Sequence, residues 1–191
     1  RQELLSGNKI KALDFCSFSA NKPTIMILGG SLGSVTLNTA IRNILPQLLK
    51  DFQVIHLCGK DKLDSALTHT GGYAQYEYIK KELSDLFALS DLIISRAGAN
   101  AICEILALRK PNLLIPLSAN ASRGDQILNA NSFKSQGFSQ VLEEESLSDE
   151  TLLSAIHELY QNRAIYIRRM SKSVQYSSIG IITKLIQNEA I

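Results

Sequence analysis

Short runs of consecutive apolar residues alternate along this chain with longer stretches whose apolar positions recur every three or four residues. Residues 24–28 (TIMIL) are the first compact run, the pattern of a strand buried on both faces. Residues 34–50 follow with Val35, Leu37, Ile41, Ile44, Leu45, Leu48 and Leu49 at helical spacing. The alternation continues with a strand at 52–58 stopped by Gly59, a charged helical stretch at 60–67 and a Gly71-Gly72 turn. Next come a strand at 74–79, a helix at 82–89, a strand at 92–95, a helix at 99–108 and a strand at 112–117, with Pro116 marking its end. Small and polar residues 118–124 lead into a helix at 125–135, then Gly137 and a strand at 138–142. From Ser148 the chain reads as helical, with Leu152, Ala155, Ile156 and Leu159 on a packing face, and a last helix spans 178–187. The opening residues 1–18 read as a helical turn and an exposed connector, without an initiator methionine, so the chain is expected to be cut from a longer protein.

Strand and helix in strict alternation demand right-handed crossovers, hence a parallel sheet with helices on both faces. The expected fold is therefore α/β, a Rossmann-like doubly wound parallel sheet. No repeat or linker divides the chain, and 191 residues at 45 % hydrophobic content fill one core. A net charge of +2, from 20 basic and 18 acidic residues, gives no reason to expect nucleic acid as a partner. Cys16, Cys58 and Cys103 are too widely spaced for a disulfide framework or a zinc site, and read as buried or half-buried thiols of a reducing compartment. No run approaches the roughly 18 apolar residues of a transmembrane helix, so any membrane role is expected to be peripheral.

Ligands of open parallel sheets bind beyond the carboxyl ends of the strands, which directs attention to three segments. In Gly29-Gly30-Ser31-Leu32-Gly33 the missing side chains let backbone N–H groups approach an anion, and the following helix adds the positive end of its dipole. The spacing is neither that of a Walker A loop nor that of the dinucleotide fingerprint, and a bare strand-to-helix turn would look the same. Residues 95–104 (SRAGANAICE) repeat the arrangement with Gly98, and Glu104 lies far enough into the helix to accept both hydroxyls of a ribose. Alone, Glu104 would read as a solvated helix glutamate. In residues 117–133, Arg123, Asp125, Gln126 and Asn129 crowd a helix start, with Gln126 and Asn129 on one face. Amides and carboxylates in such a group match sugar hydroxyls, which both donate and accept; a capped helix with a polar surface is the plainer account.

Taken in order, GGSLGS, YEYI, SDLIISRAGANAICEILALRKPNLLIPL and ASRGDQILNA resemble the C-terminal, donor-binding half of the MurG family of bacterial N-acetylglucosaminyltransferases. The resemblance implies that residues 1–191 are the UDP-GlcNAc-binding domain of a two-domain, glycosyltransferase B enzyme whose N-terminal acceptor domain is absent. That family transfers N-acetylglucosamine from UDP-GlcNAc, with inversion, to undecaprenyl-linked lipid I, giving lipid II of peptidoglycan synthesis. By the same resemblance Gly30, Ser31 and Gly33 hold the diphosphate, the backbone of Ile79 beside Tyr78 reads the uracil, and Gly98 and Glu104 serve the nucleotide, Glu104 at the ribose. Asp125 and Gln126 stand where the family usually has two glutamines at the donor sugar, and Arg1 matches an arginine near the diphosphate. The resemblance also implies no cofactor, a metal-independent reaction, a catalytic base in the absent domain, and a place on the cytoplasmic face of the membrane. The absence of an Asp-x-Asp pair agrees with that route. A relative with another UDP-sugar or acceptor, such as a diacylglycerol glucosyltransferase, and a non-catalytic nucleotide-binding module are the alternatives.

Other chemistry-bearing residues read as structural. His56 fits a satisfied strand histidine, His69 and His157 have no partner at a telling spacing, and Glu143-Glu144-Glu145 reads as a charged loop. Arg163, Arg168, Arg169 and Lys172 read as a solvated basic helix face, with anionic lipid as the alternative.

Overall fold

The computed structural model describes residues 2–30, 33–118 and 124–173. Six strands form it: β1 (Thr24–Leu28), β2 (Gln53–Leu57), β3 (Tyr73–Tyr76), β4 (Leu92–Ser95), β5 (Asn112–Leu114) and β6 (Gln140–Val141). Six α-helices surround them: α1 (Lys9–Cys16), α2 (Val35–Asp51), α3 (Leu83–Leu89), α4 (Ala99–Ala107), α5 (Asp125–Ser135) and α6 (Asp149–Ser171). The sheet order is β3-β2-β1-β4-β5-β6 and every pairing is parallel, the doubly wound arrangement expected from the alternation.

Period-two geometry explains why the strands are apolar throughout. Ile25, Ile27, Val54, Leu92, Ile94 and Leu113 point to one face, where they pack with Leu37, Ile41, Ile44, Leu45 and Leu48 of α2 and Leu152, Ile156 and Leu159 of α6. Met26, Ile55 and Ile93 point to the other, against Ala12 and Cys16 of α1, Leu86, Phe87 and Leu89 of α3, and Ile105 of α4. A third cluster joins Leu114 of β5 to Ile102 and Leu106 of α4, Ala130 and Phe133 of α5, Phe138, and Met170 of α6. Pro46 interrupts the hydrogen bonding of α2 on its exposed side, so the apolar seam of that helix stays intact. Capping fixes where the long helices begin: Ser34 Oγ accepts from Leu37 N at 3.3 Å, and Ser148 and Thr151 form a reciprocal capping box on α6.

The structure corrects the expected elements in five places. Residues 9–16, read as connector, form α1, because Asn8 Oδ1 accepts from Ile10 N and Lys11 N at 2.9 and 3.2 Å while Asn8 N donates to Asp85 of α3. Residues 60–67 contain only a 3-10 turn, Ser65–Leu67. Long-range hydrogen bonds take that backbone away from a helix: Arg42 Nη2 donates to Lys62 O, and the Gln75 amide pairs with the backbone of Asp64 in both directions. Three strands are shorter than their patterns: β3 ends at Tyr76, β6 spans only Gln140–Val141, and β5, expected over 112–117, stops at Leu114, after which the carbonyls of Ile115 and Pro116 accept from Arg96. Cys16 and Cys58 are buried as expected, whereas Cys103 is exposed on α4. The helix expected at 178–187 lies outside the described residues.

Candidate functional site: the carboxyl edge of the sheet

In this strand order successive strands are added outward in one direction from β1 and in the other from β4, so the loops after these two parallel strands diverge and leave a crevice at the sheet's carboxyl edge. The glycine segment after β1 forms one wall. Gly33 has φ +66°, and a Cβ placed there would lie 2.0 Å from the Cys58 carbonyl oxygen, so the turn closes directly on the end of β2. Gly30 also has positive φ, +83°, yet a Cβ there would meet nothing within 4 Å. The two glycines thus differ: Gly33 is required by packing, while Gly30 leaves an open approach to its backbone.

Behind this turn runs a buried polar chain. Asn38 Nδ2 donates to Cys58 O at 2.9 Å, which leaves Asn38 Oδ1 facing His56 Nε2 at 3.0 Å; His56 Nδ1 meets the Tyr73 hydroxyl at 2.9 Å. These partners assign the proton to Nε2, with Nδ1 accepting from Tyr73. Burial, followed by the positive charge of Arg42, pushes the His56 pKa down to about 3, so the ring is neutral at physiological pH. His56 is therefore the satisfied strand histidine expected from the sequence, and its network fixes the carbonyl on which Gly33 rests.

The second wall follows β4. Arg96 is only 5 % exposed, and its guanidinium lies across the crevice floor. Nη2 and Nε donate to Ser34 Oγ at 2.6 and 3.2 Å, Nη1 donates to Ile115 O and Pro116 O at 3.0 and 3.2 Å, and Nη2 pairs with the carboxylate of Glu144. Gly98 then serves as N-cap of α4 with extended backbone and open space over its Cα. Glu104 lies six residues further on, about 9 Å along the helix axis, and is half-buried.

The third wall is α5 with the end of β5. Gln126 Oε1 accepts from Leu117 N at 3.1 Å, and Asn129 Nδ2 donates to Ala97 O at 3.0 Å. The two amides expected on one helical face thus hold α5 to the segments after β5 and β4. Asp125 is exposed at the first turn and accepts nothing as an N-cap, which falls to Gly124 with φ +84°. Ile79 follows β3 at the sheet's outer side, its side chain packed into the α1–α3 cluster and Tyr78 beside it half exposed.

Of the expected site residues, Gly30, Gly33, Gly98, Gln126 and Ile79 follow or flank strand ends on this one edge, and Asp125 and Glu104 lie on the helices that leave it. Ser31, Arg1 and Arg123 lie outside the described residues. Arg96 and Glu144 were not anticipated as site residues: Arg96 stood in plain sight immediately after a strand, but Glu144 read as one of three loop glutamates. Its contacts correct that reading, because Glu144 is an internal ion-pair partner rather than part of a solvated run. His157 likewise finds partners the sequence hid, Leu153 O at 2.9 Å and Asp51 at 3.2 Å.

Comparison with known proteins places this architecture. A curated relative from Lachnospira eligens, named UDP-N-acetylglucosamine--N-acetylmuramyl-(pentapeptide) pyrophosphoryl-undecaprenol N-acetylglucosamine transferase, is 61 % identical over 190 residues, covering 100 % of this chain and 54 % of the relative. One of the same name from Lachnoclostridium phytofermentans is 60 % identical over 187 residues, covering 98 % of this chain and 53 % of the relative. The chain thus spans about half the length of the curated relatives it matches. Among solved structures, Acinetobacter baumannii MurG superposes with a TM-score of 0.70 at 24 % identity, over 97 % of this chain and 55 % of that one. The kitacinnamycin glycotransferase superposes with 0.66 at 17 % identity, over 80 % of this chain and 38 % of that one, a likeness of fold. With the model of the glycosyltransferase family 28 C-terminal domain matching residues 24–185, the chain belongs to that glycosyltransferase family.

Proposed function

We infer that this chain is the donor-binding half of an inverting glycosyltransferase that moves N-acetylglucosamine from UDP-GlcNAc to undecaprenyl-linked lipid I. The observation that carries this reading is the pair of glycine-bearing helix N-termini, α2 behind Gly30 and Gly33 and α4 behind Gly98, flanking the reversal point of the sheet. Each terminus offers backbone N–H groups without helical partners and the positive end of a dipole, a combination suited to a diphosphate. The name carried by relatives at 60–61 % identity supports the same donor and acceptor.

In the reaction the bond between the sugar anomeric carbon and the β-phosphate oxygen breaks while the acceptor hydroxyl attacks from the opposite face. Negative charge then builds on the departing UDP. Fixed N–H dipoles at α2 stabilise that charge without having to reorganise. In this reading Gly30, Ser31 and Gly33 serve the diphosphate, and Arg1 is assigned to it by the family resemblance alone; Gly98 lets the nucleotide lie close to α4; Glu104 accepts the ribose hydroxyls; Ile79 reads the uracil; Gln126 and Asp125 contact the sugar. Residues 1–191 serve as one donor domain, and the acceptor site and the general base belong to a further domain of a two-domain enzyme. Among the described residues no helix is long and apolar enough to cross a membrane. In this reading it is the lipid-linked acceptor that brings the whole enzyme, as a peripheral protein, to the cytoplasmic membrane face.

Titration calorimetry with UDP-GlcNAc, UDP-glucose and UDP-galactose tests the donor. UDP-GlcNAc is expected to bind most tightly; tighter binding of UDP-glucose refutes the assignment.

A further inference from the structure

Leu117 and Ser118, the two residues that lead away from β5, have their amides claimed by side chains from different parts of the chain. Leu117 N donates to Gln126 Oε1 and Ser118 N to Glu144 Oε2, each at 3.1 Å. The other carboxylate oxygen of Glu144 pairs with Arg96 Nη2, and Arg96 in turn holds Ser34 Oγ, the N-cap of α2. Side-chain exposures of 6 % for Arg96 and 14 % for Glu144 keep this connection out of bulk water, so the ion pair is screened less than an exposed one.

We propose that Glu144 is a positioning residue that couples the diphosphate side of the crevice, through Arg96 and Ser34, to its sugar side, through Ser118, Leu117 and Gln126. The inference rests on the reading of this edge as a UDP-sugar site. Its physical basis is that both oxygens of a carboxylate accept. Oε1 takes the guanidinium while Oε2 takes the Ser118 N–H, and Arg96 retains separate bonds to Ser34 and to the carbonyls ending β5. A glutamine of the same shape has one accepting and one donating end, so one of the two connections must be lost whichever way the amide turns. The charged guanidinium is the stronger donor for the single accepting oxygen, so the loss falls on Ser118 N and hence on the segment that Gln126 holds through Leu117 N.

The test compares the wild-type chain with Glu144→Gln by calorimetry against UDP-GlcNAc and against UDP, together with amide hydrogen exchange. Glu144→Gln is expected to weaken UDP-GlcNAc about tenfold and UDP less than about threefold, collapsing the preference for the sugar-bearing ligand. Exchange at Leu117 and Ser118 should quicken while β1 and β2 stay protected. A variant that binds UDP-GlcNAc as the wild type does, or loses both ligands equally, overturns the proposal, as does unchanged exchange at Ser118. Glu144→Asp, which keeps two accepting oxygens, should retain more of the preference than Glu144→Gln; the reverse order also overturns it. If the wild-type chain binds neither nucleotide, the donor reading itself fails, a result separate from any difference between the variants.

Discussion

Acidification should destabilise this protein through His56, and the size of the effect follows from its burial. The ordinary imidazole value of 6.5 applies to the unfolded chain, whereas the buried ring is held at about 3. Between these values the unfolded state binds a proton that the folded state refuses, so stability rises with pH across that window. The contribution is fully present above pH 6.5 and is lost as pH falls toward 3, with a limiting slope of about 1.4 kcal/mol per pH unit. At pH 5 the loss relative to pH 8 amounts to about 2 kcal/mol, or roughly 4–8 °C in melting temperature for a domain of this size. Carboxylates also titrate in acid, so the measurement is a difference. His56→Gln can donate to Asn38 Oδ1 and accept from Tyr73 without titrating. Urea unfolding of both proteins between pH 5 and 8 should show the wild type losing about 2 kcal/mol more than the variant. Parallel profiles would refute the reasoning, because they would mean that the buried ring accepts its proton as easily as the unfolded one. The folded ring stays neutral across that window, so the network that holds the Cys58 carbonyl under Gly33 is expected to persist in the folded protein and the effect to appear in stability rather than in ligand affinity.

Three further outcomes follow from the geometry. Gly33→Ala drives a Cβ to 2.0 Å from the Cys58 carbonyl and should cost about 3 kcal/mol or more, whereas Gly30→Ala meets only the strain of positive φ, about 1 kcal/mol; equal denaturant midpoints would contradict this. Ser148→Ala removes the α6 capping box and should lower unfolding free energy by about 1 kcal/mol without changing UDP-GlcNAc affinity, which calorimetry and urea melts separate. Glu104→Ala should weaken UDP binding by about 1–3 kcal/mol, and an unchanged dissociation constant would remove its ribose role.

Much of the fold was legible because its signals are local. A run such as TIMIL reads as a strand buried on both faces, and the recurrence of Leu37, Ile41, Ile44 and Leu48 reads as a helix seam, before any partner is known. Ser34 and Ser148 announce helix starts through bonds that span three residues. Where long-range bonds compete with local ones the reading fails: residues 60–67 give up a helix to Arg42 and Gln75, and α1 gains its place from α3 through Asp85. In the site, the glycine positions were visible but their different duties were not, since only the approach of Cys58 distinguishes Gly33 from Gly30.

By itself, the sequence determined the alternation of strands and helices, the parallel sheet it implies, and the ordered motifs that resemble the C-terminal half of a glycosyltransferase. Period and composition are properties of neighbouring residues, so they survive without coordinates. The tertiary structure alone decided the strand order that opens the crevice, the neutral His56 beneath its glycine turn, and the meeting of Arg96 with Glu144 across 48 residues of chain. A charge in a sequence carries no record of its surroundings. Only the folded chain shows whether water or a buried partner neutralises it.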